Sequence, residues 1–247
     1  MFDNYYDLTS GIGGFAYAAC MAGLRFKRHF FSEINEYCIR LYRVRFPGAE
    51  WLGDLHDYER WEIAAGSSLC TAGFPCQPFS NIGGKQGRDD NRYLWPVLRG
   101  FVRRVRPDIT LFENVPPIDT GDPVSVLEEI YDNLEDDGYT TLPPIEIPAA
   151  SYGAPHLRNR VWILAHSDGF RWERGGGIEE KEKGAPEPAG LDEDRFRDRL
   201  SAGQYGRGDY GFSAWMDRLK GLGNAIFPVI AERIFRVIKA VIEEQEG

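Results

Sequence analysis

The sequence predicts an α/β fold, a largely parallel sheet with helices on both faces. Three observations carry this. Short apolar segments alternate with stretches at helical spacing from about residue 5 to residue 165. A glycine cluster, Ser10-Gly11-Ile12-Gly13-Gly14, separates the first such strand from the first helix. The chain has 247 residues and is 43% hydrophobic, enough to bury the core of one domain with a small appendage.

Residues 5–9 read as a buried strand, broken by the glycine cluster. Phe15 to Leu24 carries apolar residues at helical spacing, with Gly23 near its end. His29 to Glu33 is the next strand, and Asn35 to Phe46 the next helix, stopped by Pro47-Gly48. Leu69 to Gly73 is a strand that meets a proline-rich loop. A helix from about Leu94 to Val105 precedes the strand Thr110-Leu111-Phe112-Glu113. Residues 124–137 read as helix and Arg160 to Ala165 as strand. The texture changes near 166. His166 to Phe212 is rich in glycine and charge, includes Gly175-Gly176-Gly177, and cannot bury much core of its own. Order returns at Trp215, and Ile226 to Ile242 reads as a C-terminal helix. The expected division is 1–165, 166–212 and 213–247.

Composition excludes several classes. The apolar content is too high for a disordered chain. No apolar run reaches the roughly 18 residues that span a bilayer, and the start MFDNYYDL carries no secretory pattern. Four cysteines (Cys20, Cys38, Cys70, Cys76) are irregularly spaced for a disulfide framework or a zinc site, so a cytoplasmic protein with reduced thiols and no metal is expected. A net charge of −9 argues against a general nucleic-acid coat protein but leaves room for a local basic groove.

Two groups of residues carry chemistry. In the first, glycines after a strand let a ligand approach the backbone closely. Glu33 lies 22 residues after Gly11, where an acid can accept both hydroxyls of a ribose. Asp54 falls where another strand could present a carboxylate to an adenine amino group. The glycine turn alone is equally read as a tight turn. Asp7 precedes a loop with no basic residue, which disfavours a pyrophosphate and suits a cationic ligand part. S-adenosylmethionine, with its ammonium and sulfonium, is therefore expected over a dinucleotide.

In the second group, Cys76 stands between Pro75 and Pro78, which fix the backbone around it as a nucleophile requires. Cys20, Cys38 and Cys70 read as core residues. Residues 80–92, with Ser80, Lys85, Arg88 and Arg92, read as a polar loop able to close over a substrate. The segment 88–106 holds six arginines and is expected to contact phosphates, with a solvated helix face as the alternative. Glu113 ends a buried strand, where desolvation favours a carboxyl that keeps its proton. Arg158 and Arg160 alternate, so in extended chain both aim the same way.

These motifs resemble those of the C5-cytosine-specific DNA methyltransferases. They run in that family's order: Asp7-Leu8-Thr9-Ser10-Gly11-Ile12-Gly13-Gly14-Phe15; Gly73-Phe74-Pro75-Cys76-Gln77-Pro78-Phe79-Ser80; Glu113-Asn114-Val115; Arg158-Asn159-Arg160; and Leu222-Gly223-Asn224-Ala225. The matches around Asp90, Arg92, Leu94 and Trp95, and Asp217-Arg218-Leu219-Lys220, resemble compact phage and prophage members. The resemblance implies a Rossmann-like methyltransferase sheet with a short target recognition region at 166–212. It implies S-adenosylmethionine held by Asp7, Ser10, Gly11, Gly13, Gly14, Phe15, Glu33, Asp54, Leu55, Pro75, Asn224 and Ala225. It implies catalysis on a flipped cytosine of double-stranded DNA by Cys76, Glu113, Arg158 and Arg160, in a monomer. Base contacts are expected from the insert, with Arg171 and Arg174 among the candidates. The chain departs from the family at Thr9, where phenylalanine is usual, at Ile34, where tryptophan is common, and at His156, where glutamine precedes the arginines.

Two other readings stay open. One is a tRNA cytosine methyltransferase of the same family, although the proline-cysteine-glutamine form favours DNA. The other is a catalytically silent DNA-binding relative, against which the intact Cys76, Glu113 and Arg160 argue. A redox role for Cys70 and Cys76 fails on spacing.

Overall fold

The computed structural model describes residues 2–74, 93–114, 126–148, 159–170, 226 and 228–246. Among these residues one sheet organises the chain. Strand β1 (Phe2–Leu8) lies inside it, flanked by β2 (Phe26–Phe31) and β4 (Ser68–Gly73), and both pairings are parallel. A strand buried on both faces needs apolar residues at successive positions, and Tyr5, Tyr6 and Leu8 supply them. The sheet order is β3-β2-β1-β4-β5-β8-β6, with β3 Glu50–Trp51, β5 Ile109–Asn114, β6 Tyr139–Thr141 and β8 Asn159–Ser167. Strand β7 (Ile145–Pro148) also pairs with β8. Strands β1 to β5 are mutually parallel, whereas β8 runs antiparallel to β5 and to both β6 and β7. Start and end of β8 are therefore reversed relative to β5, and Arg160 arrives at the edge where β5 ends.

Helices α1 (Gly14–Met21), α2 (Glu36–Arg45) and α5 (Pro228–Glu246) belong to one face of the sheet. Its core includes Tyr5, Phe15, Phe31, Tyr42, Leu111, Trp162, Ile226, Ile230 and Phe235. The C-terminal helix packs on α1. A 3-10 helix (Leu55–Arg60), α3 (Trp95–Val105) and α4 (Val126–Asp136) cover the other face, with Tyr6, Phe30, Trp95, Phe101, Phe112 and Ile163 in its core. The expected helices on both faces are present, with ends shifted by a few residues. The two-residue β3, the 3-10 helix and the short β6 and β7 went unread, because segments of that length carry no periodicity. No described helix is long and apolar enough to cross a membrane.

The arginine-rich segment needs a correction in its described half. Arg99 makes a two-pronged pair with Asp137 at 2.7 and 3.0 Å. Arg104 donates to the backbone carbonyls of Tyr58, Glu59 and Trp61, closing the end of the 3-10 helix. Arg106 donates to the carbonyls of Asp137 and Gly138 and lies over the Tyr139 ring. Arg106 and Asp137 sit beside the start of β5, at the opposite end of the sheet from Glu113. These side chains fasten α3 to its neighbours, and their carbonyl and carboxylate partners leave them poorly placed for phosphates. Arg88 and Arg92 lie outside the described residues.

Candidate active site

The first wall is the turn after β1. The N–H of Gly11 donates to Glu33 Oε2 at 2.8 Å, and the N–H groups of Ile34 and Asn35 donate to Glu33 Oε1 at 2.9 and 2.8 Å. One carboxylate thus joins the glycine loop to the end of β2, with lone pairs to spare. Trp51 Nε1 donates to the Glu33 carbonyl at 3.1 Å. Arg45 of α2 donates to the Ile12 carbonyl at 2.8 Å.

The glycines serve different ends. Gly11, at φ 54°, would carry a Cβ into open space, so a ligand can approach there. A Cβ on Gly13 would stand 2.6 Å from the Phe46 ring, and one on Gly14 2.6 Å from Ile226 Cγ1. These two allow α1 to pack. Ser10 Oγ is buried with no hydrogen-bond partner among the described residues.

Asp7 is corrected. It is completely buried, and its oxygens are occupied: Tyr42 donates to Oδ2 at 2.8 Å and Thr71 to Oδ1 at 3.1 Å. The Ala16 N–H in the first turn of α1 is a further partner, and Gly13, the N-cap, has no side chain to serve that end. Asp7 therefore holds the loop from below and does not face a cationic ligand. Its single hydroxyl proton spent on Asp7, Tyr42 must accept from His29 Nε2, 2.7 Å away. Likewise Tyr5 must donate to Thr71, at 2.9 Å. Burial pushes the Asp7 carboxyl up to about 7, against the opposing pull of these donors, and pushes His29 down to about 4. Tyr42, Thr71 and Arg45 were missed from sequence. For Tyr42 and Thr71 the signal was a hydroxyl among apolar neighbours; Arg45, at a helix end rich in arginine, carried none.

The remaining predicted residues divide. Asp54 follows β3 and caps the 3-10 helix, accepting from the His56 N–H at 3.0 Å and lying 2.9 Å from its Nδ1. Its carboxyl is held below the usual range by these contacts, which outweigh desolvation. Phe15 is core: its ring meets Trp162 and Phe235 edge-on. Leu55 is buried in the opposite core. For both, only the backbone is left to a ligand.

The second wall is a row across three strands. Gly73 of β4 registers with Glu113 of β5, and Glu113 with Trp162 of β8. A Cβ on Gly73 would lie 3.4 Å from Glu113 Oε2, so glycine there keeps room beside the carboxylate. Arg160 Nε stands 2.5 Å from Glu113 Oε1, and both side chains are largely buried. The guanidinium provides the counter-charge a buried carboxylate needs. The chain leaves β4 at Gly73, and Cys76 is three residues on, within about 10 Å of extended chain. Cys76, Pro75, Arg158, Asn224, Ala225, Ser80, Lys85, Arg88, Arg92, Arg171 and Arg174 lie outside the described residues.

The parallel strands β1 to β5 thus carry the glycine loop, two strand-end acids and a buried carboxylate–arginine pair at their carboxyl edge, where α/β folds place their sites. The family description "C-5 cytosine-specific DNA methylase" matches residues 4–202, and the chain belongs to that family. The chain is 32% identical over 168 residues to type II methyltransferase M.HaeII of Haemophilus aegyptius, covering 68% of this chain and 51% of that one. It is 31% identical over 174 residues to type II methyltransferase M.BsuFI of Bacillus subtilis, covering 67% and 40%. The chain thus spans about half the length of these curated relatives. Among solved structures it is similar to a putative DNA modification methyltransferase encoded within an E. coli prophage. That match has a TM-score of 0.51 and 25% identity, over 66% of this chain and 46% of that one.

Proposed function

We propose that this chain is a DNA cytosine-5 methyltransferase that uses S-adenosylmethionine and a covalent Cys76 adduct. The observation that carries the reading is the buried Glu113–Arg160 pair beside Gly73, on the strand that leads to Cys76. Family membership and relatives named as type II methyltransferases support it.

The residues of the first wall fit the cofactor. Open space over Gly11, the orphaned buried Ser10 hydroxyl and the strand-end acids Glu33 and Asp54 are what an adenosine and a polar tail require. Glu33 would take the ribose hydroxyls, Asp54 the adenine amino group, and Ser10 with the Gly11 backbone the amino-acid tail. Bound there, S-adenosylmethionine supplies an electrophilic methyl group.

Cytosine C5 is a weak nucleophile until something adds at C6. Cys76, as thiolate, forms the S–C6 bond, and the C5=C6 electrons make C5 nucleophilic. An incoming base takes the place of Arg160 on Glu113. Glu113, arriving at that step with a proton, donates to N3 and accepts from the exocyclic amino group, stabilising charge as it develops. Arg160 is freed for the ring oxygen, with Arg158 beside it in sequence. Once C5 carries the methyl group, with S-adenosylhomocysteine as the other product, its proton passes to solvent, the C5–H electrons re-form the C5=C6 bond and expel Cys76 as thiolate, and N3 returns its proton to Glu113. Flipping the base costs a few kcal/mol, offset by contacts from the 80–92 loop (Ser80, Lys85, Arg88, Arg92). The sheet keeps β8 to Ser167, two residues past the expected boundary at 165, and Phe170 packs on the core; the part of 166–212 beyond them, with Arg171 and Arg174, forms the recognition region before the segment 213–247.

Bisulfite sequencing of DNA from cells expressing the chain tests this, with Cys76→Ala beside it. Recurrent methylated cytosines that vanish in the variant are expected. No methylation in DNA, with methyl transfer to tRNA instead, would move the substrate to RNA; none in either would overturn the reading.

A further inference from the structure

Thr9 lies at φ 49°, in the left-handed region that side chains branched at Cβ rarely adopt. Among the described residues the only other non-glycine with positive φ is Arg106, at a helix end far from the site. Such a conformation persists only when its surroundings enforce it. Here the enforcing contact is visible. Thr9 Oγ1 lies 2.6 Å from the Leu8 carbonyl and 3.0 Å from the Gly73 carbonyl, 64 residues away. Gly73 is the last residue of β4 and registers with Glu113, and the next N–H, that of Phe74, donates to the Glu113 carbonyl at 3.3 Å. One hydroxyl therefore bridges the glycine loop to the strand end that flanks Glu113.

We infer that Thr9 is a positioning residue whose hydroxyl holds a strained turn, fixing the shape of the glycine loop and its distance from the Gly73–Glu113 edge. Strands β1 and β4 stay paired up to Leu8 and Ala72, but without the hydroxyl Thr9 could relax to negative φ and carry Ser10 and Gly11 with it, loosening their bonds to Ser32 and Glu33. Three substitutions separate strain from anchoring. Valine keeps the shape and the strain but loses the anchor. Serine keeps the anchor. Glycine loses the anchor but removes the strain.

The first measurement is amide hydrogen exchange on the ligand-free chain. The Gly11 N–H, bonded to Glu33, and the Gly13 N–H, bonded to the Ser10 carbonyl, are the reporters. Thr9→Val is expected to speed their exchange about tenfold while β5 amides stay unchanged; Thr9→Ser matches the native chain, and Thr9→Gly falls between. The second is calorimetric affinity for S-adenosylhomocysteine, which rests on the cofactor reading above. Thr9→Val is expected to bind about tenfold more weakly and Thr9→Ser within about threefold of the native chain, with similar melting midpoints. Unchanged exchange in Thr9→Val, or a serine variant as fast as valine, overturns the inference. A native chain that binds no S-adenosylhomocysteine but shows the expected exchange order overturns the cofactor reading and leaves the inference standing. Native binding with Thr9→Val within twofold does the reverse.

Discussion

Phe112 and Glu113 are neighbours on β5, both buried, and point to opposite faces of the sheet. The Phe112 side contains Tyr6, Phe30, Trp61, Trp95 and Phe101, rings packed on rings. The Glu113 side is apolar at its base but carries Asp7, Thr71, Tyr42 and His29 in a hydrogen-bonded chain, with Arg160 at its rim. Buried polar groups are costly unless fully partnered. Placing Asp7, His29 and Glu113 on one face leaves the other to draw its stability mainly from packed rings, with polar bonds such as Arg99–Asp137 at its edge. Alternation along β5 therefore gives its two neighbours different duties, Phe112 to the packed rings and Glu113 to the candidate site.

Glu113→Gln is expected to lower methyl transfer by about 10²–10⁴-fold, the usual range for a lost acid–base group. Phe112→Ala is expected to cost about 3–5 kcal/mol of stability through transfer and cavity terms, with transfer by the folded fraction within about threefold of native. Urea unfolding beside a methyl-transfer assay reads both. If Phe112→Ala costs activity beyond its unfolded fraction, the faces are not separable.

A second pair sharpens the polar face. Asp7 is raised to about 7 by burial, so its contribution is held at low pH and lost as pH rises from 4 towards 7. His29 is lowered to about 4, also by burial, so its contribution is held above pH 6.5 and lost as pH falls towards 4. Between pH 4 and 6.5 the unfolded chain carries one proton on His29 and the folded chain one on Asp7, and the two slopes cancel. Asp7→Asn is expected to expose the histidine slope, a gain of about 3 kcal/mol in stability with rising pH relative to native. His29→Gln is expected to expose the opposite slope. Unfolding free energies from pH 4.5 to 7 check the signs; parallel curves in all three proteins would show that the pair does not titrate as described.

The smallest effect concerns the arginines of α3. Arg99→Ala removes a two-pronged pair with Asp137 and is expected to cost about 1–3 kcal/mol of stability. DNA affinity and its salt dependence are expected to stay within twofold, because Arg99 meets a carboxylate and not a phosphate. A reduced salt slope in a fluorescence binding assay would return these arginines to the interface.

What the sequence made legible follows from range. The spacing from Gly11 to Glu33 put the acid just past β2 and beside the glycine loop, where the structure has it, since one strand–helix–strand unit fixes where the next strand ends. Glu113 was legible because it terminates an apolar run. Asp7 was misjudged because its partners, Tyr42 and Thr71, come from other elements, and position along β1 does not reveal which face a side chain takes. The same holds for Arg99, Arg104 and Arg106, whose acceptors at Asp137, Tyr58 and Gly138 are distant in sequence. The Thr9 conformation is invisible to pattern altogether, because it depends on a carbonyl 64 residues away.

The proposal that most needs testing is that Cys76 and Glu113 act as nucleophile and acid on one cytosine. Duplex DNA carrying 5-fluorocytosine tests it, because fluorine cannot leave as a cation and the Cys76–C6 bond should persist. Incubated with the native chain and S-adenosylmethionine, that DNA is expected to yield an adduct resistant to denaturation, absent in Cys76→Ala and formed at least tenfold more slowly in Glu113→Gln. No adduct from an active native chain, or an adduct that survives Cys76→Ala, would contradict the account.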